Sequence, residues 1–272
     1  IAVPMIFLQA VSYLETERGI KERMLKTVNE ALDDKTLKIR SVLSETAALE
    51  KRYSTNETLY QCLDKNYTKN LEYLIQYQET FLVLFSDMNL YPYHIRNIRL
   101  YTDNPTLMNG AYVRKTEDMA LESLGETLDY VNVYPMNGER DTYVRTSHET
   151  RRIAGTSDSR SLSIIRVFDH YRQYNTYQKL IRVDVECEDL LEILRETNLF
   201  DNMILTDSNG QVIAALNQYS NSGRMDSFDA EQIKDNGHML LSRELSDFGL
   251  TLYGSYDMNS ISQEFQSSRI QS

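Results

Sequence analysis

The chain has 272 residues, enough for about two domains of average size, and 41% of them are hydrophobic, as in ordinary globular proteins. Lysine and arginine number 29 and aspartate and glutamate 40, so the formal net charge is -11. This acidic balance argues against nucleic-acid binding, because neutralising phosphate groups requires a basic surface. No stretch reaches the roughly 18–20 continuous apolar residues that a complete membrane span requires.

The first ten residues, IAVPMIFLQA, are unusually apolar for an exposed chain end. No basic segment precedes them, so they do not fit a signal peptide. We interpret residues 1–10 as the end of a transmembrane helix. A helix that docks on the domain itself is the alternative.

Residues 11–53 are predicted to form one long helix. Its apolar positions recur mostly every three or four residues, which places them on one face of a helix. They are Val28, Leu32, Ile39, Val42, Leu43, Thr46, Leu49 and Tyr53. A helix of some 40 residues would span about 60 Å, longer than a small domain is wide. A second helical stretch is predicted at 56–84, with Ser54-Thr55-Asn56 as its N-terminal cap.

The next part of the chain is predicted to form a strand-rich unit. Its predicted strands are 94–103, 130–134, 162–168 and 180–185, the last two as a hairpin. Helices are predicted at 116–127 and 188–196. The segment 135–161 is polar and rich in turn residues, and we predict a loop there.

A second, smaller strand-rich unit begins near Phe200. Strands at 203–205 and 212–214 flank Asn209-Gly210, a pair that accepts the positive φ of a tight hairpin turn. Another strand pair is predicted at 238–245 and 250–256. Long helices followed by antiparallel strand pairs indicate an α+β fold.

The sequence carries no recognisable catalytic motif, phosphate-binding glycine loop or metal-ligand spacing, so no cofactor and no metal is expected. Its four histidines are isolated from one another. The cysteines, Cys62 and Cys187, are either bridged to each other or two separate thiols, and the sequence does not decide between these alternatives.

Polar residues inside predicted strands are the best indication of a site. Arg166 lies in one strand of the hairpin, and Arg182 and Asp184 share one face of the other. Such groups are costly to bury unpaired, so they suggest a wall of a polar ligand pocket that contains Arg166 and Asp184 together. The alternative is that they pair with one another or lie on a solvated face. Tyr101 and Tyr130 are candidate lining residues, each with an apolar ring and a hydroxyl tip.

Five segments, taken in order, carry a resemblance to a known family. They are IRNIRLYTDNPTL (95–107), SLSIIRVF (161–168), YQKLIRVDVECEDLLEIL (177–194), MILTDSNGQVIAAL (203–216) and SRELSDFGLTLYGSY (242–256). In this order the chain resembles, over essentially its whole length, the extracellular double Cache sensor region of YesM-type bacterial histidine kinases. The resemblance implies a long N-terminal helix that carries two PAS-like antiparallel-sheet (Cache) units in tandem.

The resemblance also implies how the chain is divided. The expected parts are the end of a transmembrane helix (1–10), the long helix and helical hairpin (11–90), a membrane-distal Cache unit (91–197), a membrane-proximal Cache unit (198–258) and a lead into a second transmembrane helix (259–272). The region would lie outside the cell. Its two flanking helices would anchor it in the cell membrane and lead to cytoplasmic kinase modules.

A ligand is implied for the distal unit. In ligand-binding double Cache domains an aspartate at the end of the last distal strand contacts the ligand, and Asp184 stands at that position. The amino-acid-binding version also carries an aromatic-Arg-Trp-Tyr cluster, from which this chain departs because it has no tryptophan. YesM-type relatives are associated with carbohydrate or peptide responses, so the resemblance implies a sugar-like or peptide-like small molecule.

The partners expected from the resemblance are a second copy in a homodimeric full-length receptor and an AraC-type response regulator, reached through the kinase module. We expect no enzymatic activity in the present region itself. The alternatives are the same fold in a chemoreceptor or other transmembrane receptor, and a ligand-free spacer driven by a partner protein. A soluble enzyme is disfavoured by the apolar first ten residues and the missing catalytic constellation.

Overall fold

The computed structural model describes residues 2–85, 92–117, 134–135, 142–149, 159–196, 198–208, 210–217, 228 and 238–257. One long helix, α1 (Ala2–Ser54), packs against two β-sheets of six and four strands. This architecture confirms the predicted α+β class. Within the described part of the chain, no helix combines the length and apolar character needed to cross a membrane.

The apolar stripe predicted for α1 faces the core. All of its predicted members are buried: Val28, Leu32, Ile39, Val42, Leu43, Thr46, Leu49 and Tyr53. The helix has 53 residues and therefore spans about 80 Å. A single amphipathic stripe thus provides the packing surface for both sheets.

The predicted second helix at 56–84 is in fact interrupted. It consists of α2 (Glu57–Asp64), α3 (Asn70–Gln76), a π-helical turn (Tyr77–Leu82) and α4 (Val83–Phe85). Asn56 caps α2 as predicted, because its side chain accepts a hydrogen bond from the Leu59 amide at 3.3 Å. The break after α2 is stabilised from a distance, since the Asn104 amide group donates to the carbonyls of Leu63 and Lys65 and satisfies the helix end.

The first sheet has the strand order β2-β1-β6-β5-β4-β3. Its strands are β1 (Ile95–Thr102), β2 (Val113–Lys115), β3 (Tyr134–Pro135), β4 (Thr142–Glu149), β5 (Ser159–Val167) and β6 (Lys179–Glu186). Among the described pairs of this sheet, only β1 and β2 are parallel.

The predicted loop at 135–161 is wrong over its centre, where β4 forms. The strand pairs with β5 along its whole length, from Thr142 opposite Arg166 to Glu149 opposite Ser159. Pairing with a strongly β-forming neighbour outweighs the polar composition of the segment. The helix predicted at 116–127 and the strand predicted at 130–134 lie almost entirely outside the described residues.

Helix α5 (Cys187–Arg195) follows β6 directly and leads to the second sheet. That sheet is antiparallel, in the order β8-β7-β10-β9, and its strands are β7 (Asn202–Asp207), β8 (Val212–Asn217), β9 (Met239–Leu245) and β10 (Leu250–Tyr256). Its two tight turns contain Gly210 and Gly249, with φ of 78° and 64°. Only glycine adopts such backbone angles without strain, which confirms the hairpin predicted around Gly210.

One hydrophobic core joins α1, α5 and one face of each sheet. The first sheet lies within 91–197 and the second within 198–258. Their assignment as membrane-distal and membrane-proximal units stays a prediction. Cys62 and Cys187 are both buried and not joined by a disulfide, so they are separate thiols in this structure. Burial raises the pKa of the Cys62 thiol.

Charged contacts fix α1 to the second sheet and to the segment that precedes it. Arg243 of β9 donates to Asp33 at 2.5 Å and to Asn29 at 2.8 Å. Glu196, just after α5, accepts from the ammonium groups of Lys35 and Lys38, both at 2.6 Å. These hydrogen bonds, that of Lys35 first, hold the pKa of Glu196 below its ordinary value.

We predict that Glu196→Gln lowers the free energy of unfolding by about 1–3 kcal/mol at neutral pH, because the buried Lys35 ammonium loses its carboxylate. Urea denaturation measures the change. Lys38→Gln is the matched control, since Lys38 is half-exposed and its loss leaves Lys35 paired. Equal destabilisation by both variants would contradict the prediction.

His94 is buried, with 2% of its surface exposed. Its Nε2 atom has no hydrogen-bond partner among the described residues. Burial lowers the pKa of His94, outweighing the Glu45 carboxylate and the Val42 carbonyl of α1, which act in the opposite direction. The unfolded chain therefore takes up the proton first, and stability falls as the pH drops below about 6.5.

Replacing His94 with glutamine removes this contribution. Urea denaturation at pH 7.5 and 5.5 should show a smaller loss of stability on acidification for His94→Gln than for the parent chain. His170→Gln, at an exposed histidine, is the control variant. An unchanged pH dependence in His94→Gln would refute the role of His94.

Candidate functional site

The central strand β6 is buried on both faces. Ile181, Val183 and Val185 belong to the core shared with α1. The side chains between them point the opposite way, because successive residues of a strand alternate between faces. We call the side of the first sheet that is turned away from α1 the far face.

The neighbouring strands β1, β6 and β5 form the centre of the far face. Directly paired residues point to the same side of a sheet, so the strand registers define its rows. The rows are Tyr101, Leu180 and Val167; Arg99, Arg182 and Ile165; and Asn97, Asp184 and Ser163, in the order β1, β6, β5. The first row is apolar apart from one hydroxyl, and polar groups concentrate in the other two.

An ion pair forms the centre of the far face. Arg182 Nε donates to Asp184 Oδ1 at 2.6 Å, and each side chain is 2% exposed. The Ser163 hydroxyl bridges the two groups: it accepts from Arg182 Nε at 3.1 Å and donates to Asp184 Oδ1 at 2.6 Å. Asn97 reaches the other carboxylate oxygen, Oδ2, at 3.5 Å.

This arrangement suits recognition of a polar molecule. A guanidinium group presents several donors in a planar fork, and a carboxylate is an acceptor only. Together with Ser163 and Asn97 they provide donors and acceptors within one buried cluster. The neighbouring Tyr101 is completely buried and packs on Leu180 and Val167. These three residues form an apolar cluster beside the polar groups.

The structure brings together Tyr101, Arg182 and Asp184 of the predicted site residues, but not Arg166. In the β5–β6 register Arg166 pairs with Ile181, so its side chain lies on the α1 side. There it forms an ion pair with Glu50 of α1 at 3.4 Å. The predicted wall containing Arg166 and Asp184 together is therefore wrong. Tyr130 lies outside the described residues.

Sequence reasoning missed Ser163, Asn97 and Arg99. Ser163 lies between Leu162 and Ile164, and a small polar residue inside such an apolar run was the available signal. Asn97 and Arg99 alternate with buried Ile98 and Leu100, a period of two that marks one polar and one apolar face of β1.

We predict that Asp184→Asn lowers the free energy of unfolding by about 3–5 kcal/mol, because Arg182 then remains buried without its carboxylate. The double variant Arg182→Met/Asp184→Leu should recover most of this loss, since an apolar pair needs no counter-charge. Urea denaturation measures both. Asp169→Asn, in the exposed loop after β5, is the control, and a similar small effect of Asp169→Asn and Asp184→Asn would contradict the prediction.

No protein-family model matches the chain, and no curated protein matches it in sequence. Solved structures do match. The sensor domain of the histidine kinase DctB from V. cholerae aligns with a TM-score of 0.53 and 11% identity, over 86% of this chain and 97% of that one.

Two chemoreceptor domains of Campylobacter jejuni also align. The periplasmic sensory domain of Tlp1 has a TM-score of 0.52 and 11% identity, over 85% of this chain and 93% of that one. The ligand-binding domain of Tlp3, in complex with L-valine, has a TM-score of 0.47 and 16% identity, over 89% and 97%. The likeness to DctB and Tlp1 shows that this chain shares the fold of these two domains, which confirms the expected architecture of a long N-terminal helix with two PAS-like antiparallel-sheet units in tandem.

Proposed function

We propose that this chain is the extracellular ligand-sensing domain of a membrane receptor and binds a small polar molecule at the far face of the first sheet. The observation that carries the proposal is the buried Arg182–Asp184 pair with its Ser163 bridge. The fold supports it, since DctB and Tlp1 use the same architecture in their sensor domains.

The position of the pair favours binding over a purely structural role. Two well-packed apolar residues would stabilise the sheet at least as well as a buried ion pair. Retaining the charges is useful when a ligand competes for them. The hydroxyl groups of a sugar-like molecule, or the amide groups of a peptide-like molecule, can replace the hydrogen-bond partners that Arg182 and Asp184 have in this structure.

The receptor we infer is a two-component sensor histidine kinase of the YesM type. Flanking transmembrane helices would hold this region outside the cell membrane, and the full-length protein would be a homodimer that passes its signal to an AraC-type response regulator. The alternative is the same sensor in a chemoreceptor or another transmembrane receptor, because the structural neighbours include both receptor classes. In either receptor this region senses and catalyses no reaction.

Ligand binding would act by shifting a pre-existing equilibrium. A ligand that binds one arrangement of the first sheet and α1 more tightly than another favours that arrangement in proportion to the difference in affinity. Because α1 runs past both sheets, a small displacement at the far face can be transmitted along the helix axis toward the membrane.

A thermal-shift screen of the 272-residue chain tests the proposal, with sugars, oligosaccharides, amino acids and short peptides as probes. A compound at 100 times its Kd should add about 2.7 kcal/mol of stability and raise Tm by several degrees. We expect a sugar or a short peptide to do so. The shift should be absent in the Arg182→Met/Asp184→Leu variant and retained in Asp169→Asn.

Two outcomes would overturn the proposal. A shift that survives in Arg182→Met/Asp184→Leu would place the binding site elsewhere. No shift with any of the four classes of compound, for a chain that unfolds cooperatively, would favour the ligand-free spacer driven by a partner protein. One observation favours this second function: Arg182, Ser163 and Asp184 already form hydrogen bonds with one another without a ligand.

A further inference from the structure

We propose that the buried ion pair between Glu50 and Arg166 couples the far-face site to α1. The inference rests on the proposed sensing function for its biological purpose. Its structural basis and its test need no ligand.

The pair joins the helix to the middle of the first sheet. Glu50 lies on α1, one turn before the helix ends at Ser54, and its side chain is 0% exposed. Arg166 lies on β5, its side chain is 7% exposed, and its Nε atom is 3.4 Å from Glu50 Oε2. The surrounding side chains on the α1 side of the sheet are apolar, among them Leu162, Ile164 and Ile181.

Hydrophobic packing alone would hold α1 against the sheet. Burying two charges in this interface costs desolvation energy, and an apolar pair of similar size would be at least as stabilising. What an ion pair adds is a preferred position, because the attraction between two buried charges is strongest when Glu50 on the helix lies directly against Arg166 on the strand. The pair therefore specifies where α1 lies rather than how strongly it is held.

Strand β5 connects this contact to the ligand site. Ser163, three residues before Arg166, bridges Arg182 and Asp184 on the far face. The same strand thus contacts the far-face ion pair through one side chain and α1 through another. Because β5 is hydrogen-bonded to β4 and β6 along its length, a displacement of Ser163 moves the strand as a unit and reaches Arg166.

Hydrogen–deuterium exchange on the 272-residue chain tests this coupling. Asp184→Asn should raise the exchange rates of the α1 amides at 47–54 at least fivefold relative to the amides of β10. In the Glu50→Gln background the same substitution should change these α1 amides less than twofold, because the contact that transmits the effect is already broken.

Two further variants separate coupling from loss of stability. Leu252→Ala removes a buried side chain from β10 itself and should raise the β10 amides while leaving the 47–54 amides within twofold of their rates in the parent chain. Glu50→Met/Arg166→Met replaces the ion pair with an apolar pair, keeps the interface filled and serves if Glu50→Gln does not fold. It should abolish the response of α1 to Asp184→Asn.

The inference is overturned if Asp184→Asn affects only β5 and β6, or if α1 responds equally in the Glu50→Met/Arg166→Met background. The two proposals fail separately. If a compound binds at Asp184 but Asp184→Asn does not change the exchange rates of α1, only this inference is wrong. If Asp184→Asn changes those rates as expected but none of the screened compounds binds, only the proposed function is wrong.

Discussion

Both sheets bury one face against the same helix, and this shared packing surface determines the rest of the architecture. The buried stripe of α1 is mainly apolar, so the sheet faces that meet it are mainly apolar as well. In the first sheet this favours the far face for polar residues of the central strands, and Arg166, which lies on the α1 side, is paired with Glu50. The location of the polar cluster on the side away from α1 thus follows from the periodicity of the helix.

Burial on both faces makes the polar residues of β6 informative. An antiparallel sheet that covers a core on one side commonly exposes the other, and polar residues there need no special explanation. Here Arg182 and Asp184 are buried, and so is Ser163 beside them. A buried charge must be paired and hydrogen-bonded to be tolerated, and all three groups meet that condition through one another. Their clustering at adjacent register positions is the feature on which the proposed ligand site rests.

Much of the fold was predictable because it depends on local periodicity. The stripe of α1, the cap at Asn56, the paired strands β5 and β6 and the turn at Gly210 each carry their signal within a few residues. The face of Arg166 was not predictable in the same way. Alternation shows that Arg166 shares a side of β5 with Leu162 and Ile164, but only the register to β6 decides whether that side also holds Asp184.

Long-range contacts account for the remaining differences. β4 is a strand because β5 lies beside it. The carbonyl groups at the end of α2 accept hydrogen bonds from Asn104, some 40 residues away in the chain. Glu50 likewise finds its partner only in the folded chain. Among the three polar contacts of α1 that involve Glu50, Lys35 and Asp33, one reaches each sheet and one the segment after α5. Apolar packing between them is non-directional and permits small displacements along the helix axis. Ion pairs at fixed points favour particular positions of the helix, and the proposed sensing by a shift between two arrangements depends on such positions.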